Sequence, residues 1–320
     1  MKICCLGSGY FSVAISKVLS KNEKNEISIW THDTSWQEKC NKKDKLLLGK
    51  KEIPKDNITI INNLEDLVNY NVIIILVSSK YIMETINNLK KIITKKQTVL
   101  IGTKGLISMK PYNITNYAKK VLKTDKIGYI AGPNLAIDLL NDAPCRICIA
   151  STDKKTTILG KHLFNELIPE TSYNTLSLEI GSVLKNIYAI GSGIIYGKYP
   201  NPSTLYSFTT SSYLEYQKIL TKYCKYNEKK PIAALIADFM MTTNHEESRN
   251  FKFGIALSNS QKEAKDFLKK NTVEGYENID FLREFINDNI SSYPILYAIY
   301  NIIYKNQSQD ILLDICKKSY

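Results

Sequence analysis

The sequence predicts an α/β protein in two domains, with a doubly wound sheet of parallel strands over residues 1–175 and a mostly helical domain over residues 176–320. Short apolar runs alternate with amphipathic stretches up to about Thr175. The run from Val72 to Leu76 is apolar at every position, as expected for a parallel strand that helices cover on both faces. After Thr175 the segments lengthen and take helical spacing.

The apolar runs give the order of the elements. Strands are predicted at residues 2–6, 26–30, 71–77, 98–102, 127–131 and 145–150. Between the early strands, helices are predicted at residues 11–21, 34–43 and 80–93. Beyond residue 175, helices are predicted at residues 177–197, 204–225, 229–241, 260–270, 278–289 and 293–304. The chain has no internal repeat of fixed period, which argues against a solenoid.

Composition narrows the class of protein. Hydrophobic residues make up 44% and charged residues 23% of the 320 positions, which is typical of a globular chain and argues against disorder. The net charge of +12 favours anionic partners such as phosphorylated small molecules, nucleic acid or lipid. The lysines are scattered and no nucleic-acid motif accompanies them, so no nucleic-acid partner is predicted. The apolar run Val72–Val77 is far shorter than the roughly 20 residues of a bilayer span, so no membrane insertion is predicted.

The cysteines indicate a reducing compartment. Seven is an odd number, and Cys4 and Cys5 are neighbours inside a predicted strand, where a disulfide between them would be strained. Cys145 and Cys148 form a C-x-x-C without a second pair or a nearby His, so we interpret them as strand residues and predict no metal site. The first residues lack the apolar stretch of a secretory signal. We therefore expect a cytoplasmic protein.

A glycine pattern follows the first predicted strand. Gly7-Ser8-Gly9 stands between that strand and an amphipathic helix, the context of a dinucleotide-binding turn of the Rossmann type. Gly7 permits the tight turn, and Gly9 lets the backbone approach a pyrophosphate at the start of the helix. The third position of the pattern is Ser12 instead of glycine. A plain glycine turn is the alternative interpretation.

The end of the second predicted strand bears on the cofactor. A residue of Thr31-His32-Asp33 would meet the adenosine ribose, and Asp33 is able to accept the ribose hydroxyls of NAD. Nearby lysines are able to neutralise the 2′-phosphate of NADP: Lys39, Lys42 and Lys43. NAD and NADP therefore both remain open.

Five further segments together resemble one family, the NAD(P)-dependent glycerol-3-phosphate dehydrogenases. They lie in the family's order over nearly the whole chain: Thr103-Lys104-Gly105, Gly132-Pro133-Asn134-Leu135-Ala136, Leu184-Lys185-Asn186, Ser248-Arg249-Asn250 with Phe253-Gly254, and Val273-Glu274-Gly275-Tyr276. Each segment alone is a weak signal, whereas five in order at compatible spacings are a strong one. The resemblance implies an oxidoreductase that interconverts dihydroxyacetone phosphate and glycerol 3-phosphate for phospholipid synthesis.

The resemblance also implies the site residues. It assigns catalysis to Lys185, Lys104 and Asp238. The same three bind substrate, together with Gly132, Asn134, Asn186, Ser248, Arg249 and Asn250. The cofactor is expected at Gly7, Gly9, Tyr10, Phe11, His32, Lys104, Ala136, Arg249, Thr272 and Glu274.

The chemistry of the residues agrees with this assignment. Reduction of a ketone needs a hydride donor, an acid for the developing alkoxide and, for this substrate, cations that bind phosphate. Lys185 lies in an apolar helical stretch, where a charge needs a reason, and burial beside the Lys104 cation would lower its pKa toward neutrality. Asp238 would orient one of the two lysines. Arg249 offers a planar fork for the phosphate.

Each of these residues also has a structural interpretation. In this interpretation Lys185 is a surface lysine and Arg249 forms an ion pair with Glu246 or Glu247. Asp238 then caps a helix or forms a buried hydrogen bond. Glu274 with Gly275 is able to end a helix. The chain departs from the family pattern at Ser12, at Ile137 in place of a basic residue, at Ser211 in place of the arginine of T-R-G, and at Ile236 and Ala237 in place of glycines.

Three other functions remain open at this point. The first is a reductase of the same architecture that acts on a hydroxy acid or keto acid, the second is a nucleotide-binding protein without catalysis, and the third is a nucleic-acid-binding role that rests on the net charge of +12. The Ser248-Arg249-Asn250 motif argues against the reductase of a hydroxy acid or keto acid. The joint presence of Lys104, Lys185, Asp238 and Arg249 argues against a protein without catalysis. The oligomeric state is open, with a homodimer as the expectation.

Overall fold

The computed structural model describes residues 1–107, 110 and 113–318. The chain divides into two compact units, Met1–Thr103 with Ile114–Thr175 and Lys104–Asn113 with Leu176–Tyr320. The segment from Lys104 to Asn113, which the sequence assigns to the 1–175 domain, therefore groups with the second unit. Lys104 and Lys185 belong to the same unit as a result.

The first unit contains an eight-stranded sheet. Its strands are β1 (Lys2–Leu6), β2 (Glu26–Trp30), β5 (Ile58–Ile61), β6 (Val72–Ile75), β7 (Thr98–Ile101), β8 (Ile127–Ala131), β9 (Arg146–Ala150) and β10 (Ile168–Ser172). The order is β10-β9-β8-β7-β6-β1-β2-β5, and neighbours are parallel except β8 and β9. The doubly wound sheet is thus confirmed, with one antiparallel pair that the apolar runs do not reveal.

Helices and a small hairpin complete the first unit. The helices are α1 (Tyr10–Ser20), α2 (Thr34–Lys43), α3 (Ile82–Leu89), α4 (Ile114–Leu122), α5 (Ala136–Leu140) and α6 (Lys154–Leu163), and the hairpin pairs β3 (Lys45–Leu48) with β4 (Lys51–Pro54). Asp33 and Asp153 accept backbone N–H groups at the starts of α2 and α6, as capping residues do. The predicted strands and helices of this unit are present, whereas β5, β10, α4, α5, α6 and the hairpin were not predicted.

The second unit is helical in the described residues. Its helices are α7 (Thr175–Lys198), α8 (Pro202–Cys224), α9 (Ala233–Asn244), α10 (Arg249–Asn259), α11 (Gln261–Lys270), α12 (Glu274–Phe285), α13 (Pro294–Lys305) and α14 (Ile311–Lys318). Tyr188 of α7, Tyr216 of α8 and Phe239 of α9 are buried against one another, with ring centroids 4.8–6.4 Å apart. This aromatic cluster packs the three helices together and fixes the faces that carry the charged residues.

Two further expectations concern the state of the cysteines and the absence of membrane insertion. In the part of the chain that the structure describes, none of the seven cysteines forms a disulfide; Cys148 lies in β9, and Cys145 immediately precedes that strand. Among the helices within the described ranges, none has both the length and the apolar character that a bilayer span requires.

Candidate functional site

The first unit has a pocket at the carboxyl ends of β1, β2 and β6. Its volume is about 530 Å³, and its lining includes Gly7, Ser8, Gly9, Thr31, His32 and Tyr81. The chain crosses from one side of the sheet to the other between β1 and β6, which are neighbours in the strand order. Such a switch point is where doubly wound sheets bind their ligands.

Gly7 and Gly9 differ in what surrounds them. Gly7 has a φ of +125°, and a Cβ there would lie 3.1 Å from the carbonyl oxygen of Leu76, so the turn requires glycine. Gly9 precedes α1, and no atom lies within 4 Å of the position a Cβ would take. The first turn of α1 has neither a capping side chain nor an acidic residue. The free N–H groups there fit a pyrophosphate, in agreement with the predicted turn.

The other predicted cofactor residues on this turn have distinct surroundings. The Tyr10 hydroxyl donates to the carbonyl oxygen of Leu48 at 2.9 Å, and Phe11 packs on the core of the unit. His32 is exposed at the pocket. Ser12 is fully buried and its hydroxyl has no hydrogen-bond partner, so α1 tolerates this departure from glycine.

The residues proposed to discriminate NAD from NADP lie outside the lining of the pocket. The Asp33 carboxylate accepts the backbone N–H of Trp36 at 2.8 Å and is used as a helix cap. Lys43 pairs with Glu52. Lys39 and Lys42 are exposed on α2.

The G-P-N segment of the first unit is held by β9. Gly132 has a φ of +157°, and a Cβ there would collide with the carbonyl oxygen of Arg146. The Asn134 amide nitrogen donates to that same oxygen at 2.6 Å, while its Oδ1 is buried without a partner. Ala136 begins α5 and packs on the core, and the neighbouring Ile137 is exposed.

The centre of the second unit is a buried lysine. Lys185 lies in the middle of α7, not at its opening, and is only 2% exposed. Its ammonium pairs with the fully buried carboxylate of Asp238 on α9 and donates to the hydroxyl of Thr242 at 3.0 Å. The surface interpretation of Lys185 and the capping interpretation of Asp238 are therefore wrong.

Thr242 was missed at the sequence level. It lies one turn after Asp238 on α9, and its hydroxyl donates to the Asp238 carbonyl oxygen at 2.7 Å. That bond points an oxygen lone pair of Thr242 at Lys185. The spacing of four residues from Asp238 is the signal that could have found it.

The electrostatic setting of Lys185 changes its protonation. Burial lowers the pKa of Lys185 to about 7, because the charged form loses its hydration. The Asp238 carboxylate raises this pKa and the Lys104 ammonium lowers it further, so the two neighbours act in opposite directions. An amine with a pKa near neutrality is able both to donate and to accept a proton at physiological pH.

Arg249 and Asn250 form a second group with Glu274. Ser248 caps α10, and Arg249, the first residue of that helix, pairs with the Glu274 carboxylate and not with Glu246 or Glu247, as the structural interpretation had it. The Asn250 Oδ1 accepts the backbone N–H of Gly275 at 2.8 Å, and its Nδ2 lies 3.5 Å from Glu274. Glu274 and Gly275 begin α12, so the interpretation that they end a helix is wrong. Thr272 is exposed two residues before α12.

Close backbone contacts bring this group to α7. A Cβ on Gly275 would lie 2.6 Å from the carbonyl oxygen of Asn186, the residue after Lys185. Gly254 of α10 approaches the backbone of α7 so closely that a Cβ would collide with the carbonyl oxygen of Ile190. The glycines of F-G and V-E-G thus permit α10 and α12 to pack on the helix that carries Lys185.

The remaining predicted site residue of this unit, and the positions that depart from the family pattern, lie within helices. The Asn186 amide is buried and donates to the carbonyl oxygen of Ser182 on its own helix at 3.4 Å. Ser211, in place of an arginine, is buried on α8 and donates to the carbonyl oxygen of Ser207 at 3.3 Å. Ala237 is partly buried beside Asp238.

Comparisons with known proteins bear on both units. A sequence model described as the NAD-dependent glycerol-3-phosphate dehydrogenase N-terminus matches residues 2–157, and the corresponding C-terminus model matches residues 174–314. The chain is 29% identical over 325 residues to the glycerol-3-phosphate dehydrogenase [NAD(P)+] of Ehrlichia canis, covering 97% of this chain and 98% of the relative.

Solved structures share the fold. The glycerol-3-phosphate dehydrogenase of Coxiella burnetii has a TM-score of 0.85 at 21% identity, with 99% of each chain covered. That of Plasmodium falciparum has a TM-score of 0.87 at 20% identity, covering 100% of this chain and 96% of the other. At these identities the structural likeness speaks for the fold alone.

Proposed function

The chain belongs to the NAD-dependent glycerol-3-phosphate dehydrogenase family, and from that premise we propose that it interconverts dihydroxyacetone phosphate and glycerol 3-phosphate with NAD(H) or NADP(H). The observation that carries the proposal is the buried Lys185, bonded to Asp238 and Thr242, with a pKa lowered to about 7. A buried lysine with its pKa at neutrality suits a proton donor better than a structural charge.

Lys185 moves the proton in this proposal. In reduction its ammonium donates to the oxygen of the substrate ketone as that oxygen gains negative charge, and in oxidation the neutral amine accepts the proton of the hydroxyl. Asp238 and Thr242 hold the Lys185 nitrogen in place from α9. The Lys104 ammonium stabilises the developing alkoxide and keeps the pKa of Lys185 low.

Asp238 has a second task in the proposal. Its Oδ1 accepts from Lys185, whereas its Oδ2 is buried and, among the described residues, has no hydrogen-bond partner. A buried carboxylate oxygen without a donor is costly. We assign this oxygen to a hydroxyl group of the substrate, which supplies the missing donor.

Arg249 binds the substrate phosphate in the proposal. Its guanidinium is half exposed and has planar, paired N–H groups that match phosphate oxygens. In the structure the Glu274 carboxylate accepts from the Arg249 guanidinium, and a phosphate dianion would compete for the same N–H donors. The backbone contact of Gly275 with Asn186 holds the start of α12 against the helix that carries Lys185.

The cofactor fits the first unit on two observations: the open space beyond Gly9 and the uncapped start of α1. Gly7, Gly9, Tyr10, Phe11 and His32 are the residues we assign to it, with Ala136 from the G-P-N turn. From the second unit we assign Lys104, Arg249, Thr272 and Glu274. Bound nicotinamide cofactor supplies or accepts the hydride. The assignment of cofactor and substrate residues, Gly132, Asn134, Asn186, Ser248 and Asn250 included, is a proposal.

One assay tests substrate, cofactor and competence together. Purified protein is mixed with dihydroxyacetone phosphate and either NADH or NADPH, and the loss of reduced nicotinamide is followed. Oxidation of at least one cofactor is expected. A panel of phosphate-free keto acids is the comparison, and faster turnover of a keto acid contradicts the proposed substrate. The keto-acid reductase is otherwise not favoured, because both family models are those of glycerol-3-phosphate dehydrogenases.

Location and assembly belong to the proposal as well. We propose a cytoplasmic enzyme on the ground of its odd number of cysteines, none of which forms a disulfide within the described residues. We also propose a homodimer, and light scattering on the purified protein measures that state directly. The supply of glycerol 3-phosphate for phospholipid synthesis is the role that the family resemblance implies.

A further inference from the structure

We infer that Asn278 is a positioning residue, whose side-chain amide fixes the backbone that carries Lys104 and so keeps that ammonium beside Lys185. The inference rests on the proposed function, in which Lys185 carries the proton. Asn278 lies on α12 and belongs to no motif that the sequence analysis singled out. Its hydrogen-bond partner Leu106 is far from it in the sequence.

Both ends of the Asn278 amide are used. Its Oδ1 accepts the backbone N–H of Leu106 at 2.7 Å, and its Nδ2 donates to the carbonyl oxygen of Glu274 at 2.8 Å. The residue is only 3% exposed. Exchanging oxygen and nitrogen would set donor against donor and acceptor against acceptor, so the orientation of the amide is fixed.

The segment next to this contact has little freedom. Leu106 is buried, and only Gly105 separates it from Lys104. Gly105 has a φ of +146°, a conformation that other residues rarely adopt. A backbone fixed at Leu106 and turned at Gly105 leaves Lys104 few places to lie.

Such a restraint is needed because the two lysines repel each other. The Lys104 ammonium lowers the pKa of Lys185, which means that the two positive charges interact unfavourably. A free segment would move Lys104 away and relieve the repulsion. The hydrogen bond from Leu106 to Asn278 opposes that movement.

The same turn of α12 also reaches Arg249. Glu274, whose carbonyl oxygen accepts from Asn278, pairs through its carboxylate with the Arg249 guanidinium. Asn278 therefore links the segment of Lys104 to the start of the helix that Arg249 contacts. This places one amide between the proton-donating part of the site and the phosphate-binding part.

The experiment compares Asn278→Leu with the wild type by the pH dependence of kcat for reduction. Leucine has the same branching and the same number of side-chain heavy atoms as asparagine, but it forms neither hydrogen bond. Because Lys104 is then free to move away, we expect the pKa that governs kcat to rise by about one unit, the low end of the effect of a nearby charge. Cofactor affinity is expected to stay within twofold. An unchanged profile overturns the inference.

Two further variants separate positioning from general destabilisation. Asn301→Leu is the matched control, because Asn301 is also a buried asparagine of this unit and its Oδ1 has no partner. Its pH profile should match the wild type. Asn278→Ser, which leaves room for a water molecule, replaces Asn278→Leu if that protein does not fold, with the same upward shift expected and an unchanged profile again contradicting the inference.

A double-mutant comparison tests whether Asn278 acts through Lys104. In a Lys104→Met background, Asn278→Leu should shift the profile no further, because the charge to be positioned is gone. Shifts that add in full contradict the inference. Should the wild type not reduce dihydroxyacetone phosphate, the proposed function fails, and the Lys185 pKa is then read by NMR of lysine-labelled protein: a higher value in Asn278→Leu supports the inference and an equal value overturns it.

Discussion

The Asp238 carboxylate binds the Lys185 ammonium through one oxygen, and its other oxygen is buried and has no hydrogen-bond partner in the part of the chain that the structure describes. Lys185 and Asp238 lie on α7 and α9, and the aromatic cluster of Tyr188, Tyr216 and Phe239 holds these helices together. The Lys185–Asp238 ion pair is therefore held in place in the core, and the second carboxylate oxygen of Asp238 remains available as a hydrogen-bond acceptor. Its energetics lead to the first two predictions.

Replacing Lys185 with alanine should abolish turnover while leaving cofactor binding intact. Lys185 acts on the reacting oxygen in the transition state, and the glycine turn assigned to the cofactor lies in the other unit. Steady-state kinetics and a fluorescence titration with NADH are the measurements. Turnover within tenfold of the wild type contradicts the assignment of Lys185 as the proton donor.

The rate should depend on pH with opposite sign in the two directions. Reduction needs the Lys185 ammonium, so its kcat should fall as the pH rises through about 7, whereas oxidation needs the free amine and should rise over the same range. Asp238→Asn removes the carboxylate that raises this pKa, so both profiles should move to lower pH. Profiles that stay in place show that another group titrates.

Replacing Gly9 with valine should block cofactor binding and leave the fold intact. Apart from the neighbouring residues, no described atom lies within 4 Å of the position of the added Cβ, so we expect the fold to accept valine, whose side chain occupies the room a pyrophosphate needs. NADH affinity and the melting temperature are the two measurements. Gly7→Ala is the contrasting variant, because its φ of +125° and its contact with Leu76 predict a loss of stability. Unchanged NADH affinity in Gly9→Val makes the turn a structural feature only.

Replacing Arg249 with lysine should raise the KM for dihydroxyacetone phosphate. Lysine keeps the charge but loses the paired hydrogen bonds, and charge-assisted bonds contribute roughly 1.5–3 kcal/mol, or about tenfold to over a hundredfold in affinity. Steady-state kinetics measures KM and kcat together, and kcat is expected to fall as well because contacts at the phosphate also position the ketone.

Two controls belong to the Arg249 experiment. Dihydroxyacetone lacks the phosphate, so its already low rate should barely change in Arg249→Lys. Arg283→Lys is the matched variant, because Arg283 is a partly exposed arginine of the same unit that pairs with Asp288. An equal penalty on both substrates assigns Arg249 to the fold or to the cofactor.

Much of this fold is predictable because its strands are buried on both faces. Runs such as β6 are apolar at every position, and they give the sheet and its helices directly. The edge strand β10 has the sequence IPETS with no fully buried residue, so no apolar run marks it. The hairpin of β3 and β4 is short, and the antiparallel pairing of β8 with β9 leaves no trace in composition.

The residues of the proposed site were singled out from motifs, whereas their contacts depend on the tertiary structure. Lys185, Lys104 and Asp238 come from such motifs, and the structure places them in one unit. An ion pair of Arg249 with Glu246 or Glu247 was the structural alternative, whereas the carboxylate that pairs with Arg249 belongs to Glu274, 25 residues away. Thr242 and Asn278 are polar residues on helices and belong to no motif. Their hydrogen bonds depend on which face of each helix packs against a neighbouring element, which the sequence does not reveal.

The bond between Leu106 and Asn278 joins residues 172 positions apart in the sequence. At a synthesis rate of about 5–20 residues per second, roughly ten to thirty seconds pass between the emergence of the two from a ribosome. During that interval the backbone next to Lys104 lacks its buried partner, while the strands β1 to β7 are already made. The backbone next to Lys104 is therefore among the last parts of the molecule that are able to reach their native conformation, and a nascent chain lacks the complete proposed site until α12 is made.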